Sequence, residues 1–322
     1  MSAPRGVARA VPTARSRGRR RREWATTLTF FAFMVPLLIG LLVFTVIPII
    51  WGFLVSLSAA HGTVNVGHWI GFNNYRTVLG DSSFTESLKV GVIFAVFIVP
   101  TTFAASLGLA LLVNSVAHGR AFFRSVFFLP TACSYVVASL VWKLSLFNGV
   151  RFGIANTILL NLPTIGPIHP IDPIAWTFGA PWVWVVLVTV RLWLQVGFYM
   201  IIFLAGLQEV PRHLYEAARM DGANPGWTTF RHITFPLLRN TSIFVGVLLI
   251  LNAFQAFAEF YNILSVQAPD PSTRPPLLYL YNTAIQDQNY GVGSAGAFIV
   301  ALLIIAFTFV QLRLFGLGRS QS

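Results

Sequence analysis

Charge is what this sequence has least of. Only 10% of its 322 residues are Asp, Glu, Lys or Arg, against 56% hydrophobic residues and a mean hydropathy of +0.71. A soluble domain carries about a quarter charged residues, so this composition excludes one and leaves a polytopic membrane protein. Cysteine is nearly absent as well. Cys133 stands alone, which rules out an internal disulfide and a thiolate metal cluster, and its expected place is as a small packed residue in a membrane helix. The six histidines, at 61, 68, 118, 169, 213 and 232, form no metal-ligand spacing. No G-x-x-x-x-G-K-[ST] occurs, so the chain has no phosphate-cradling loop and cannot hydrolyse ATP itself. No nucleophile stands beside a base, and an intramembrane enzyme has no support. The formal charge of +12 does not point to nucleic acid, because the basic residues are spread between apolar segments instead of gathered on one face.

What is present is long and apolar. A basic tail over residues 1–23, with the run Arg19 to Arg22, precedes an apolar segment from about Ala25 to Leu57. That is too long for a signal-peptide core and long enough for a span, which needs about 20 residues. Further segments run at about Leu88 to Val113, Ala121 to Phe147, Pro181 to Leu207, Thr241 to Val266 and Val292 to Leu314. The expected fold is all-α, with about six transmembrane helices over residues 24–322. Basic residues at both termini and in alternate loops, Arg120, Arg212, Arg219, Arg231, Arg239 and Arg313 among them, place those loops and both termini in the cytoplasm. The opposite loops, 58–87 and 148–180, are rich in Gly, Asn and Pro, with Trp69, Trp176, Trp182 and Trp184 near the outer boundary.

One polar stretch is patterned differently from the other loops. Residues 208–239 read QEVPRHLYEAARMDGANPGWTTFRHITFPLLR. Pro211 can open a helix, Leu214, Ala217, Ala218 and Met220 recur at about helical spacing, and Gly222 can end the helix by accepting a left-handed turn. Trp227, Phe230 and Ile233 begin a second short amphipathic helix that stops near Pro236.

Within the spans, polar groups are expensive and therefore informative. Arg191, Gln195 and Tyr199 recur every four residues on the fourth span, and Asn252, Gln255 and Glu259 every three or four on the fifth. Each set is expected to share a helical face. Counted at ~1.5 Å per residue, Arg191 and Glu259 lie at comparable depth, so they are expected to pair or to border a wet cavity. Trp193, Phe198, Phe254 or Tyr261 could cover the apolar face of a bound ring there. Lys143 reads as a residue reaching for the outer boundary.

Glu216, Ala217, Ala218, Asp221, Gly222, Ile233 and Pro236 resemble the cytoplasmic EAA loop of permease subunits in type I binding-protein-dependent ABC importers. The chain is most similar to the carbohydrate-uptake branch, to the first membrane subunit of maltose- and glycerol-phosphate-type importers. The segments GFNNYRTVLGDSSFTESL, GRAFFRSVFFLP, RLWLQVGFYMIIFLAGLQEVP and NYGVGSAGAF carry that likeness along the chain. There are two departures. The interval from Gly222 to Ile233 is one residue longer than usual, and Ser265 to Pro269 replace a Thr-Gly-Gly-Gly-Pro turn. The resemblance implies a bacterial inner-membrane subunit that pairs with a second related permease. Two ATPase subunits, which hold the ATP and Mg, lie beneath, and an extracytoplasmic solute-binding protein delivers a sugar or polyol. It implies that Glu216 orients the coupling helix, that Ala217 and Ala218 allow close approach to the ATPase, and that Gly222 permits the turn. This chain itself then binds no cofactor. A proton-coupled secondary transporter using Glu259 is the alternative, and a membrane anchor without a transport path is another.

Overall fold

The computed structural model describes residues 15–116, 118–149, 153–161, 173–178, 181–222, 226–264 and 273–315, with side chains from residue 28 to residue 313. The chain divides into two units, Met1–Leu54 and Val55–Ser322. In the first, helix α1 (Arg15–Leu41) runs through a single π turn at Leu42–Val46 into α2 (Ile47–Ser56). The apolar span Leu28–Ser56 has a hydropathy of 2.7, and Phe30, Phe31, Phe33, Ile39 and Val43, spread around its circumference, are exposed. Such a helix is stable only in an apolar solvent, where Pro36 is tolerated because the rest of the backbone bonds itself.

In the second unit, α3 (Asn73–Gly80) leads into α4 (Ser82–Ser115), the longest helix. Asp81 caps α4, its Oδ1 accepting from the Ser83 amide at 2.8 Å, and its Oδ2 accepts from the Tyr279 hydroxyl at 2.6 Å. The central partner of α4 is α8 (Trp182–Glu209), the most extensive helix contact in the unit. Their shared core has two layers. Phe94, Val186, Leu187 and Val190 pack with Phe254 and Phe260 in one, and Leu107, Ala110, Met200, Phe203 and Leu249 form the other. In lipid such contacts gain from close packing more than from water exclusion.

Around this pair stand α12 (Arg239–Phe254), α13 (Ala258–Ile263), α14 (Pro276–Tyr281) and α15 (Tyr290–Phe315). Between α4 and α8 the chain forms α5 (Arg120–Phe128), α6 (Tyr135–Val141) and a short α7 (Ile154–Asn161). Gly197 of α8 lies against the Phe127 carbonyl of α5, so close that a Cβ there would collide with the backbone. In the connection between α6 and α8 Asn156 is a hub, its Oδ1 accepting from the Ile174 amide at 3.1 Å and from Trp176 Nε1 at 2.9 Å.

Among the described residues, five helices are long and apolar enough to cross a membrane, and six if a bent pair counts as one span. That pair corrects the expectation of a continuous third span. Arg120–Ala132 and Tyr135–Leu146 meet at 92°. Pro130 sits in the 3₁₀ turn that ends the first arm, and Ser134 caps α6 at the start of the second. Cys133, expected to be packed, is exposed at this corner. The fifth span is interrupted too, between Phe254 and Ala258, where a continuous helix was expected.

Candidate functional site: an exposed helical knob and a buried polar node

The knob is built from the chain between α8 and α12. Pro211 stands in extended conformation before α9 (Arg212–Met220), where its fixed φ suits a helix start. At the other end Gly222 adopts φ +79°, the left-handed value a Cβ penalises, while the Asp221 and Gly222 amides close on the Ala217 and Arg219 carbonyls. Residues Asn224 and Pro225 lie outside the described residues. The chain resumes as α10 (Trp227–Thr229), a π turn at Phe230–Thr234 and α11 (Phe235–Leu237).

Leu214, Tyr215 and Ala218 form the half-buried side of α9, while Glu216, Ala217, Met220, Asp221 and Gly222 are exposed. Met220, counted with the apolar side in the sequence, is 88% exposed. The two arms are tied by Tyr215 Oη and Thr234 Oγ1 at 3.2 Å, with Thr234 buried beneath them. Ile233 is half-buried in the π turn and Pro236 is exposed in α11, and Leu238 below them is fully buried. This fixed root was invisible in the sequence, because nothing in the spacing of Tyr215 and Thr234 marks them as partners. An exposed helix face that carries charges of both signs beside the small Ala217, and is tied from behind through Tyr215, is suited to docking.

The second site lies inside the bundle. Arg191 is 3% exposed, and its guanidinium donates from Nη1 to Glu259 Oε1 and from Nη2 to the Asn252 carbonyl. Its Cζ lies 5.8 Å from the Phe94 ring and 5.5 Å from the Tyr135 ring. Asn252 Nδ2 donates to Tyr199 Oη at 3.1 Å and to the Leu248 carbonyl at 2.9 Å. Five of the six polar residues picked from the two spans, Arg191, Gln195, Tyr199, Asn252 and Glu259, therefore turn toward the interior, although Asn252 stays half-buried.

The interruption of the fifth span explains the geometry. After Phe254 the Ala256 amide reaches back to the Ala253 carbonyl, leaving the Asn252 carbonyl without its helical partner. Arg191 takes that carbonyl with one nitrogen and holds the Glu259 carboxylate, in the first turn of α13, with the other. An acidic group there also faces the positive helix end. One guanidinium thus joins both ends of the break. Gln255 is the exception to the expected shared face, since it sits in the break and is exposed. Nearby in sequence, Phe257 stacks on Tyr261 at 5.4 Å, and Tyr281 of α14 meets both rings. Of the other proposed ring partners, Phe254 is 3% exposed and packs on Phe307, while Trp193 and Phe198 are 41% and 40% exposed. Lys143 donates to the Asn262 carbonyl at 3.0 Å, tying the π turn after α6 to α13 instead of reaching for a boundary. Of the four tryptophans read near the outer boundary, Trp176 is buried against Trp182 and Trp184 packs on Phe94 and Phe260, while Trp69 and Trp182 are exposed. The replaced turn at Ser265 to Pro269 lies outside the described residues. Among them no group of His, Cys, Asp or Glu could hold a metal ion.

A bundle of apolar helical spans, with an exposed polar knob between two of them and a buried polar node in its interior, is the architecture of a polytopic membrane component. The chain belongs to the family of binding-protein-dependent transport system inner membrane components, which it matches over residues 6–317. It is 29% identical over 282 residues to the lactose transport system permease protein LacF of Rhizobium radiobacter, covering 87% of this chain and 91% of that one. To the sn-glycerol-3-phosphate transport system permease protein UgpA of Agrobacterium fabrum it is 32% identical over 253 residues, 76% and 80% of the two chains. The arabinooligosaccharides permease AraP of Bacillus subtilis is 29% identical over 314 residues, 97% and 96%. The same fold occurs in a bacterial ABC transporter involved in the import of alginate. There the TM-score is 0.79 at 19% identity, covering 94% of this chain and all of the other.

Proposed function

We propose that this chain is the membrane-spanning permease subunit of an ATP-driven importer for a sugar or related polyol. The observation that carries the reading is the knob, where Glu216 and Ala217 of α9 and Asp221 and Gly222 just after it are exposed on a root tied by Tyr215 and Thr234. The named specificities of the relatives, lactose, arabinooligosaccharides and glycerol-phosphate, support the substrate class. In this reading the chain pairs with a second related permease and sits on two ATPase subunits that bind ATP and Mg. It takes solute from an extracytoplasmic binding protein and keeps both termini in the cytoplasm. Closure of the ATPases pushes α9, and the push passes through the root into α8 and α12, the two helices joined at the Arg191 node.

The solute meets the exposed break. Gln255 supplies an amide to sugar hydroxyls, and the half-exposed rings of Phe257, Tyr261 and Tyr281 present faces to the apolar side of a pyranose. Arg191 and Glu259 hold that break in shape from behind, with Tyr199 bonded to Asn252 and Gln195 buried on the same face of α8. A proton-carrier role for Glu259 is disfavoured by its burial and its pairing with Arg191, which keeps its carboxylate occupied. In vesicles reconstituted with the partner subunits, uptake is expected to require internal ATP and to survive collapse of the proton gradient. Uptake that stops with the gradient and proceeds without ATP would contradict the reading.

A further inference from the structure

Two cavities meet at the root of the knob and share Tyr215 and Arg219. One, of about 650 Å³, is polar, and Arg120, Arg212 and Arg219 line it against a single carboxylate, Glu216. Arg120 is partly committed, its Nη2 donating to the Asn114 carbonyl at 2.7 Å and the Val116 carbonyl at 3.2 Å, while its buried Nε has no partner. Arg212 and Arg219 are exposed and form no ion pair among the described residues. The other cavity, of about 690 Å³, is apolar, running along Leu107, Gly108 and Leu111 of α4 and roofed by Trp227 and Phe230. Trp227 is 70% exposed and lies on Phe230 with ring centroids 5.5 Å apart.

A site that changes from three guanidiniums to an aliphatic groove across one tyrosine has the polarity of an amphiphile. A free anion would leave the groove unused, and an apolar peptide would leave the arginines unmatched. We propose that the joined cavities bind one anionic phospholipid of the cytoplasmic leaflet. Its phosphate rests against Arg212 and Arg219, and one acyl chain lies along α4 beneath Phe230. This rests on the knob end of the bundle being cytoplasmic, where anionic headgroups gather and basic pockets between spans receive them. Trp227 belongs at such a boundary, with its ring in lipid and its N–H in water. The bound lipid braces α9 against α4, so leaflet charge bears on the element proposed to meet the ATPase.

Quenching of Trp227 tests this on the full chain purified with its co-isolating subunits in phosphatidylcholine vesicles. The added probe is brominated phosphatidylglycerol or, in parallel, brominated phosphatidylcholine. The difference between the unmodified chain and Trp227→Phe isolates this residue from the other tryptophans. Phosphatidylglycerol is expected to quench Trp227 at a lower mole fraction than phosphatidylcholine. That preference should shrink roughly fivefold for each of Arg212→Gln and Arg219→Gln, both exposed positions whose loss leaves the fold intact. Equal quenching by the two lipids would overturn the proposal. So would quenching by neither, which would mean a protein segment fills the groove, or loss of the preference on adding inorganic phosphate, which would mean a free-anion site. The readout is lipid proximity, so failure here leaves the importer reading to be judged by uptake alone.

Discussion

Arg191 is the residue on which the interior turns. A charge in the spans is costly unless paired, and here one guanidinium meets a carboxylate, an orphaned carbonyl and two aromatic faces. Removing one partner of such a pair leaves the other uncompensated, at a cost of about 3–5 kcal/mol, whereas replacing both by apolar groups is often near neutral. Glu259→Gln is therefore expected to lower the thermal unfolding midpoint in detergent sharply, and Arg191→Met with Glu259→Leu to recover most of it. A Glu259→Gln midpoint equal to wild type would show that the pair does not hold the break. At the edge of the unit Tyr279 presents a second case. Burial, and then donation to Asp81, push its phenol from 10.0 up to about 12. A raised pKa means the folded state keeps a proton that the unfolded chain releases. The contribution is whole below about pH 10 and is lost as pH rises through about 12. The stability gap between wild type and Tyr279→Phe should accordingly close over that interval, and a gap constant with pH would contradict it.

At the scale of elements, the spans were legible and their interruptions were not. Runs such as residues 88–113 and 292–314 exceed what a bilayer requires and became α4 and α15. The left-handed end of α9 was also legible, since Gly222 is the residue that tolerates φ +79°. The break after Phe254 left no such mark, for Ala253 to Ile263 contains neither Gly nor Pro and hydropathy passes straight through it. Helical counting therefore placed Gln255 on the face of Asn252 and Glu259, and only the stray Asn252 carbonyl, held by Arg191 from another helix, reveals why the chain turns. The corner near Cys133 did carry a signal in Pro130, which the continuous apolar run concealed. Gly197 marks where α5 presses on α8. Gly197→Val should push the helices apart at the Phe127 carbonyl and lower stability by about 1–3 kcal/mol, whereas Gly40→Val, with open space at its Cβ, should cost much less. Equal losses would mean that the close approach does not govern packing there.

For the whole molecule, in the importer proposed above, a push on α9 docked against an ATPase becomes a movement of the spans joined at the node. Gly222→Asp forces a side chain into the left-handed turn, at ~1–2 kcal/mol, and adds a second carboxylate beside Asp221. It is expected to abolish uptake while the subunit still inserts, and normal uptake would remove the knob from the mechanism. The most direct measurement is to isolate the tagged chain from membranes and quantify any ATPase subunit retained, for wild type, Glu216→Ala and Gly222→Asp. Retention by wild type that falls in both variants, with the membrane subunits still together, is the predicted result. Membrane subunits that remain together without any ATPase, or retention indifferent to both substitutions, would contradict it.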